Sequence, residues 1–73
     1  MARTIVKSEI TGTVWKIEVA PGADVSSGDT LIIIESMKME IPVLANGGGK
    51  VLEILVEEQQ PVTEGQELVH LES

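Results

Sequence analysis

The chain has 73 residues, a formal charge of −7, no cysteine, one histidine and Trp15 as its sole aromatic residue. That length supports one small domain near the lower limit for folding without metal or disulfides, and the missing thiols exclude a disulfide framework, a thiolate metal site and a cysteine nucleophile. The acidic balance argues against nucleic acid and anionic membranes, which both need clustered Lys and Arg, and so small a chain is better suited to presenting a group than to enclosing a substrate cleft.

At the amino end, Met1-Ala2-Arg3-Thr4-Ile5 lacks the long apolar stretch of a signal peptide, so a cytoplasmic location is expected. A first strand is predicted over residues 3–7. Trp15-Lys16-Ile17-Glu18-Val19 then alternates strictly between apolar and polar, which predicts a half-buried strand over 12–19. Pro21-Gly22 and Ser27-Gly28-Asp29 read as turns. Strands follow over 30–36 and 39–44. Leu31-Ile32-Ile33-Ile34 is the longest apolar run, far too short to span a membrane. Beyond the glycine-rich turn Asn46-Gly47-Gly48-Gly49, strands are predicted over 50–56 and 67–72, with Glu64-Gly65-Gln66 as the turn before the last. Taken alone, residues 50–58 also fit a helix, but their β-branched content and their register with 13–19 favour a strand.

That register is part of a repeat. An offset of 37 aligns Gly12, Val14, Ile17, Val19, Val25, Gly28, Leu31, Glu35 and Ser36 with Gly49, Val51, Ile54, Val56, Val62, Gly65, Leu68, Glu72 and Ser73. The simplest physical reading is two similar β units, about 12–36 and 49–73, related by a pseudo-two-fold axis within one domain, 1–73. Neither unit can bury its apolar face alone, so each covers the other. Short bridging strands are expected near Val25 and Val62, giving an all-β fold, a flattened antiparallel sandwich or closed barrel. The expected core is Ile5, Trp15, Ile17, Val19, Leu31, Ile33, Ile41, Val43, Leu52, Ile54, Val56 and Leu68, with Val25 and Val62. Three consecutive isoleucines cannot alternate, so Ile32 or Ile34 is left to cover an edge or seam.

Four lysines are present, and three of them read as solvated. Lys16 falls on the outward side of its strand, and Lys7 and Lys50 stand near strand ends. Lys38 differs. It lies between two apolar strands, at or beside the centre of their turn, in Glu35-Ser36-Met37-Lys38-Met39-Glu40. Methionine is most often a flexible core filler, but a hairpin tip has little core to fill. Met37 and Met39 there suit a soft apolar collar that another protein recognises, and Glu35 and Glu40 stand within reach of an ion pair with the amine. An exposed amine is mostly protonated at neutral pH and is a poor nucleophile unassisted. No group in the sequence is placed to activate it. The residues therefore point to a substrate of a modifying enzyme, and then to a carrier. His70 has no second histidine or spaced carboxylate pair near it and is read as satisfied by its sheet neighbours, so no metal site is expected.

The chain resembles the biotinyl/lipoyl attachment family, specifically its small free-standing biotin carboxyl carriers. The likeness is carried by Gly12-Thr13-Val14, Val19-Ala20-Pro21-Gly22, Gly28-Asp29-Thr30-Leu31, Glu35-Ser36-Met37-Lys38-Met39, Pro42-Val43 and Gly49-Lys50-Val51. It implies a flattened barrel of two four-stranded antiparallel sheets, with the modified lysine on a hairpin opposite the termini. It also implies that Lys38 receives biotin in amide linkage from a biotin protein ligase, with Met37 and Met39 marking the site and opposing lipoylation. A biotin carboxylase would then load the tethered cofactor from ATP and bicarbonate, and a carboxyltransferase would unload it onto an acceptor. The domain itself would be no enzyme and a monomer in isolation. One departure from the family pattern is Gln59, where a glycine is usual; it lacks glycine's free access to positive φ, so a turn either rearranged or mildly strained is expected there. Two alternatives stay open: a lipoyl or other acyl carrier on the same fold, and a structural or interaction module with an unused site.

Overall fold

The computed structural model describes residues 3–73, which form eight strands. They are β1 (Arg3–Lys7), β2 (Gly12–Ile17), β3 (Asp24–Val25), β4 (Thr30–Ser36), β5 (Met39–Leu44), β6 (Gly49–Ile54), β7 (Pro61–Val62) and β8 (Glu67–Glu72). Two four-stranded antiparallel sheets result, ordered β1-β8-β6-β3 and β5-β4-β2-β7. An offset of 37 carries β2, β3 and β4 onto β6, β7 and β8, and β1 onto β5. Each strand thus takes the same place in its own sheet as its counterpart in the other. The pseudo-two-fold symmetry expected from the repeat is present, and the molecule is elongated, 36 × 17 × 17 Å.

The loops obey the same symmetry. Gly22 N–H donates to Val51 O and Gln59 N–H to Val14 O, both at 2.7 Å, and Gly28 and Gly65 donate to Ala45 O and Ser8 O. Gly22 and Gln59 have φ of 92° and 73°. Gln59 therefore adopts the left-handed conformation of its glycine counterpart, and the strained turn is realised rather than rebuilt.

Two predicted strands run longer than those observed. Residues 18–19 and 55–56 leave the ladder after Glu18 and Leu55 have each donated one bond, to Leu31 O and Leu68 O. The expected core needs a larger correction. Ile5 and Trp15 are each 41% exposed, and Ile33, Ile41 and Leu52 are only half-buried. The core is built instead on Val6, Val14, Ile32, Ile34, Val51, Val69 and Leu71, with Leu31, Leu68, Val25, Val62 and Val56 as expected. Ile17, Val19, Val43 and Ile54 pack against it from the half-buried shell.

The cause is a set of four symmetric register shifts. Between β2 and β4, Val14 faces Ile34 and Lys16 faces Ile33, leaving Trp15 as an extra residue; between β6 and β8, Leu52 is extra in the same way. Leu31 and Leu68 are likewise extra where β4 meets β5 and β8 meets β1. A bulge inserts one residue and shifts the inward phase by one position. Trp15 and Leu52 thus leave the core, while Leu31-Ile32 and Leu68-Val69 are buried as consecutive pairs.

Each sheet has two edges: β1 and β3 in one, β5 and β7 in the other. Among the described residues no helix is long and apolar enough to cross a membrane.

Candidate functional site

Strands β4 and β5 pair from Thr30↔Leu44 down to Glu35↔Glu40 and Ser36↔Met39, leaving Met37 and Lys38 as the two central turn residues. A two-residue hairpin whose backbone twist matches its strands is of type I′ or II′, and type I′ takes positive φ at both central positions. Met37 and Lys38 have φ of 52° and 65°. Neither is glycine, asparagine or aspartate, the residues that enter this region most readily, and each such placement costs about 1–2 kcal/mol. Burial of Leu31, Ile32 and Ile34 on β4 secures the strands that hold this tip.

The result is the expected placement of Lys38. It is exposed, at the end of a hairpin, between Met37 at 93% and Met39 at 63% exposure. Both methionines stand in solvent as a collar and fill no core. The expected ion pairs are not formed: among the described residues no carboxylate lies within ion-pair distance of the Lys38 amine. Glu35 and Glu40 are both exposed and oppose each other directly across the strands, an arrangement that is mildly unfavourable for like charges.

The base of the hairpin is tied to two neighbouring loops. Ser36 Oγ donates to Thr11 O at 3.0 Å, and Glu64 N–H donates to Thr11 Oγ1 at 3.2 Å. Thr11 in turn follows Ile10, which is held by the buried Ser8 through Ser8 Oγ to Ile10 O at 2.6 Å. Gly12 lets β2 approach β4 closely: a Cβ at this position would stand 2.5 Å from Glu35 O and 2.9 Å from Ile34 Cγ2. These loops bring Glu9 and Glu64 to the same end as Glu35 and Glu40. The symmetry-related positions are Asn46, Ser27, Glu72 and Arg3, so the lysine end holds four carboxylates where its counterpart holds one carboxylate and one guanidinium.

The positive φ of Met37 and Lys38 and the Ser36–Thr11 tie escaped the sequence reading. The first had a partial signal, since the turns that favour a two-residue gap take φ > 0 at the first central residue and, in type I′, at the second as well. The second had none, because Thr11 and Ser36 are 25 positions apart. His70 lies on β8, with Nε2 3.0 Å from Glu67 Oε1 and Nδ1 3.9 Å from Glu53 Oε1, satisfied by its own sheet as expected. Among the described residues no group of three or more His, Asp or Glu is placed to hold a metal ion. Lys38 is exposed, and among the described residues no carboxylate stands beside it as a base. The arrangement does supply what covalent attachment of a cofactor needs: an exposed amine on a projecting hairpin that a second protein can enclose.

Comparison with known proteins agrees with that geometry. The family described as "Biotin-requiring enzyme" (biotin/lipoyl) matches residues 2–71. The biotin/lipoyl attachment protein of Bacillus subtilis (strain 168) is 39% identical over 66 residues, covering 90% of each chain. The biotinylated protein TB7.3 homolog of Mycobacterium leprae is 45% identical over 51 residues, 70% of this chain and 72% of that one. Among solved structures, the urea carboxylase of Kluyveromyces lactis superposes with a TM-score of 0.92 at 38% identity, over 97% of this chain and 6% of that far longer one. A match over nearly its whole length, to relatives of its own size, makes this chain a member of the biotin/lipoyl attachment family and a biotin carboxyl carrier domain, a bearer of the cofactor and no catalyst in its own right.

Proposed function

We propose that Lys38 is the acceptor for biotin, placed there by a biotin protein ligase, and that the loaded domain moves between a biotin carboxylase and a carboxyltransferase. The observation that carries this reading is the hairpin tip: a lysine free of ion pairs, held in left-handed backbone between two exposed methionines. In the ligase the free-base amine of Lys38 attacks the acyl carbon of an activated donor; the amide bond forms, the activating group leaves and the amine gives up a proton. The chain contributes orientation to that step, and the ligase contributes activation. Met37 and Met39 offer apolar contact area to the enclosing site, and Glu35 and Glu40 set the charge of its surroundings.

Once attached, the cofactor supplies a ureido nitrogen able to hold a carboxyl group. The protein keeps that group on a tether, so transfer between two active sites takes place at high local concentration. General membership in biotin-dependent carboxylase systems follows from the family; the acyl-CoA carboxylase and urea carboxylase systems of its relatives are the acceptor chemistries this reading favours. The cytoplasm is the compartment it implies, since ligase, ATP and bicarbonate meet there. The test is intact-mass analysis after incubation with ligase, biotin and ATP. A gain of one biotinyl group and streptavidin capture are expected, with both lost in Lys38→Arg. A labelled Lys38→Arg protein, or a native chain that gains no biotinyl group, sinks the proposal.

A further inference from the structure

The two halves share one backbone plan, strand for strand and bulge for bulge, which makes their side-chain differences informative. At the lysine end, three hydroxyl side chains form a bracket. Buried Ser8 holds Ile10 at both backbone groups, Oγ donating to Ile10 O at 2.6 Å and accepting from Ile10 N–H at 3.3 Å. Thr11, the next residue, accepts from Ser36 Oγ through its carbonyl and from Glu64 N–H through its Oγ1. At the other end the positions of Ser8 and Thr11 are taken by Ala45 and Gly48, which have no hydroxyl. The backbone bonds of the two ends still match, as in Ser8 N–H to Gln66 O and Ala45 N–H to Asp29 O, both at 2.9 Å. Ser36 keeps a serine counterpart in Ser73, so the difference lies in Ser8 and Thr11: the fold stands without those two hydroxyls in one half and has them in the half that bears the hairpin.

We infer that Ser8, Thr11 and Ser36 are positioning residues for modification of Lys38, a bracket that holds the hairpin base so that the tip is presented in one orientation. The inference rests on the reading of Lys38 as the acceptor. Its physical basis is the strain at the tip. Two consecutive non-glycine residues in left-handed backbone would relax if the strands below them could splay. Thr11 O holds the β4 side of the hairpin at Ser36, directly opposite Met39. The loop that offers this carbonyl is itself held from below by Ser8 and from the side by Glu64. Without the bracket the ligase must order the tip at the moment of binding. That cost appears in the affinity for the carrier and leaves the chemical step alone.

The test compares the native chain with Ser8→Ala, Thr11→Val and Ser36→Ala, with Ser36→Thr and Thr11→Ser as conservative partners. Gly49→Ala serves as a variant destabilised at the far end. Ligase kinetics should show KM for the carrier raised about three- to tenfold in the three deletions, the scale of one lost intramolecular hydrogen bond, with kcat held within about twofold. Ser36→Thr and Thr11→Ser should return KM to within about twofold of native, and Gly49→Ala should leave it there despite a lower melting temperature. Backbone relaxation of the unmodified proteins should show Met37, Lys38 and Met39 gaining mobility in the deletions alone. Unchanged KM with an unchanged tip overturns the inference. So does a KM that follows melting temperature across all variants, Gly49→Ala included. A native chain that takes no biotin would defeat the acceptor reading instead, and the relaxation data would still decide whether the bracket orders the hairpin.

Discussion

The residues that break a local rule in this molecule are few, and they differ in purpose. Met37 and Lys38 hold left-handed backbone at the tip, where the strain aims a side chain outward. Gln59 holds the same region of φ in a turn whose counterpart is Gly22 at 92°, and no projecting group depends on it. Its strain is removable without functional cost. Gln59→Gly should stabilise the domain by about 0.5–1 kcal/mol. For a chain of this size that corresponds to a rise of about 2–8 °C in melting temperature, measured by calorimetry. Biotin uptake at Lys38 should not change. At this scale much of the site was legible. Lys38 stood out from Lys7, Lys16 and Lys50 because it alone lies between two apolar strands with a two-residue gap, and the Gln59 strain followed from one missing glycine. Ion pairing of Lys38 with Glu35 or Glu40 was not realised, since both carboxylates sit in the second pair below the tip, on strands rather than in the turn.

Among the elements, β2 and β6 show how a correct strand assignment leads to a wrong core. The alternation from Trp15 to Val19 is real, but the bulge at Trp15 reverses phase within the strand, so Val14 and Ile17 both face inward. Nothing in the local pattern marks a bulge here; the mark is in the repeat, where Leu52 is extra in the same manner. The three isoleucines of β4 resolve for the same reason, since Leu31 is extra and Ile32 and Ile34 regain a common face. The bulges tighten strand crossings, and Gly12 and Gly49 lie beside them. A Cβ at either would stand 2.5 Å from a backbone oxygen, of Glu35 or of Glu72. Gly12→Ala and Gly49→Ala should therefore each destabilise by about 1–3 kcal/mol, as overpacked sites do. Matched melting curves together with a biotinylation assay separate their effects. Only Gly12→Ala should also slow modification, because only its clash lies at the base of the lysine hairpin.

For the whole molecule, charge breaks the symmetry that the backbone keeps. Glu9, Glu35, Glu40 and Glu64 gather at the lysine end, and on the proposed reading amide formation at Lys38 would remove the charge of its amine. Loading at Lys38 would make that end more acidic, which would favour encounter with a partner whose active-site rim is basic. Association of the loaded domain with a carboxylase should slow as salt rises over the range where the Debye length falls from about 10 Å to about 3 Å. Stopped-flow rates should show a smaller salt effect for a Glu9→Gln, Glu64→Gln double variant. A salt-independent rate for the native domain would show that these carboxylates do not steer encounter.

The four sheet edges complete the design. Exposed strand edges invite a neighbouring chain to add a strand, and proteins that stay apart shorten such edges, charge them or place proline in them. All three devices occur here: β3 and β7 are two residues long, with Pro61 in β7; β1 is bounded by Arg3 and Lys7; and β5 carries Pro42 at its middle. A carrier that moves between partners, as proposed, would gain from edges that discourage strand addition. Lateral aggregation is discouraged along its whole length, and productive contact is left to the far point of one loop.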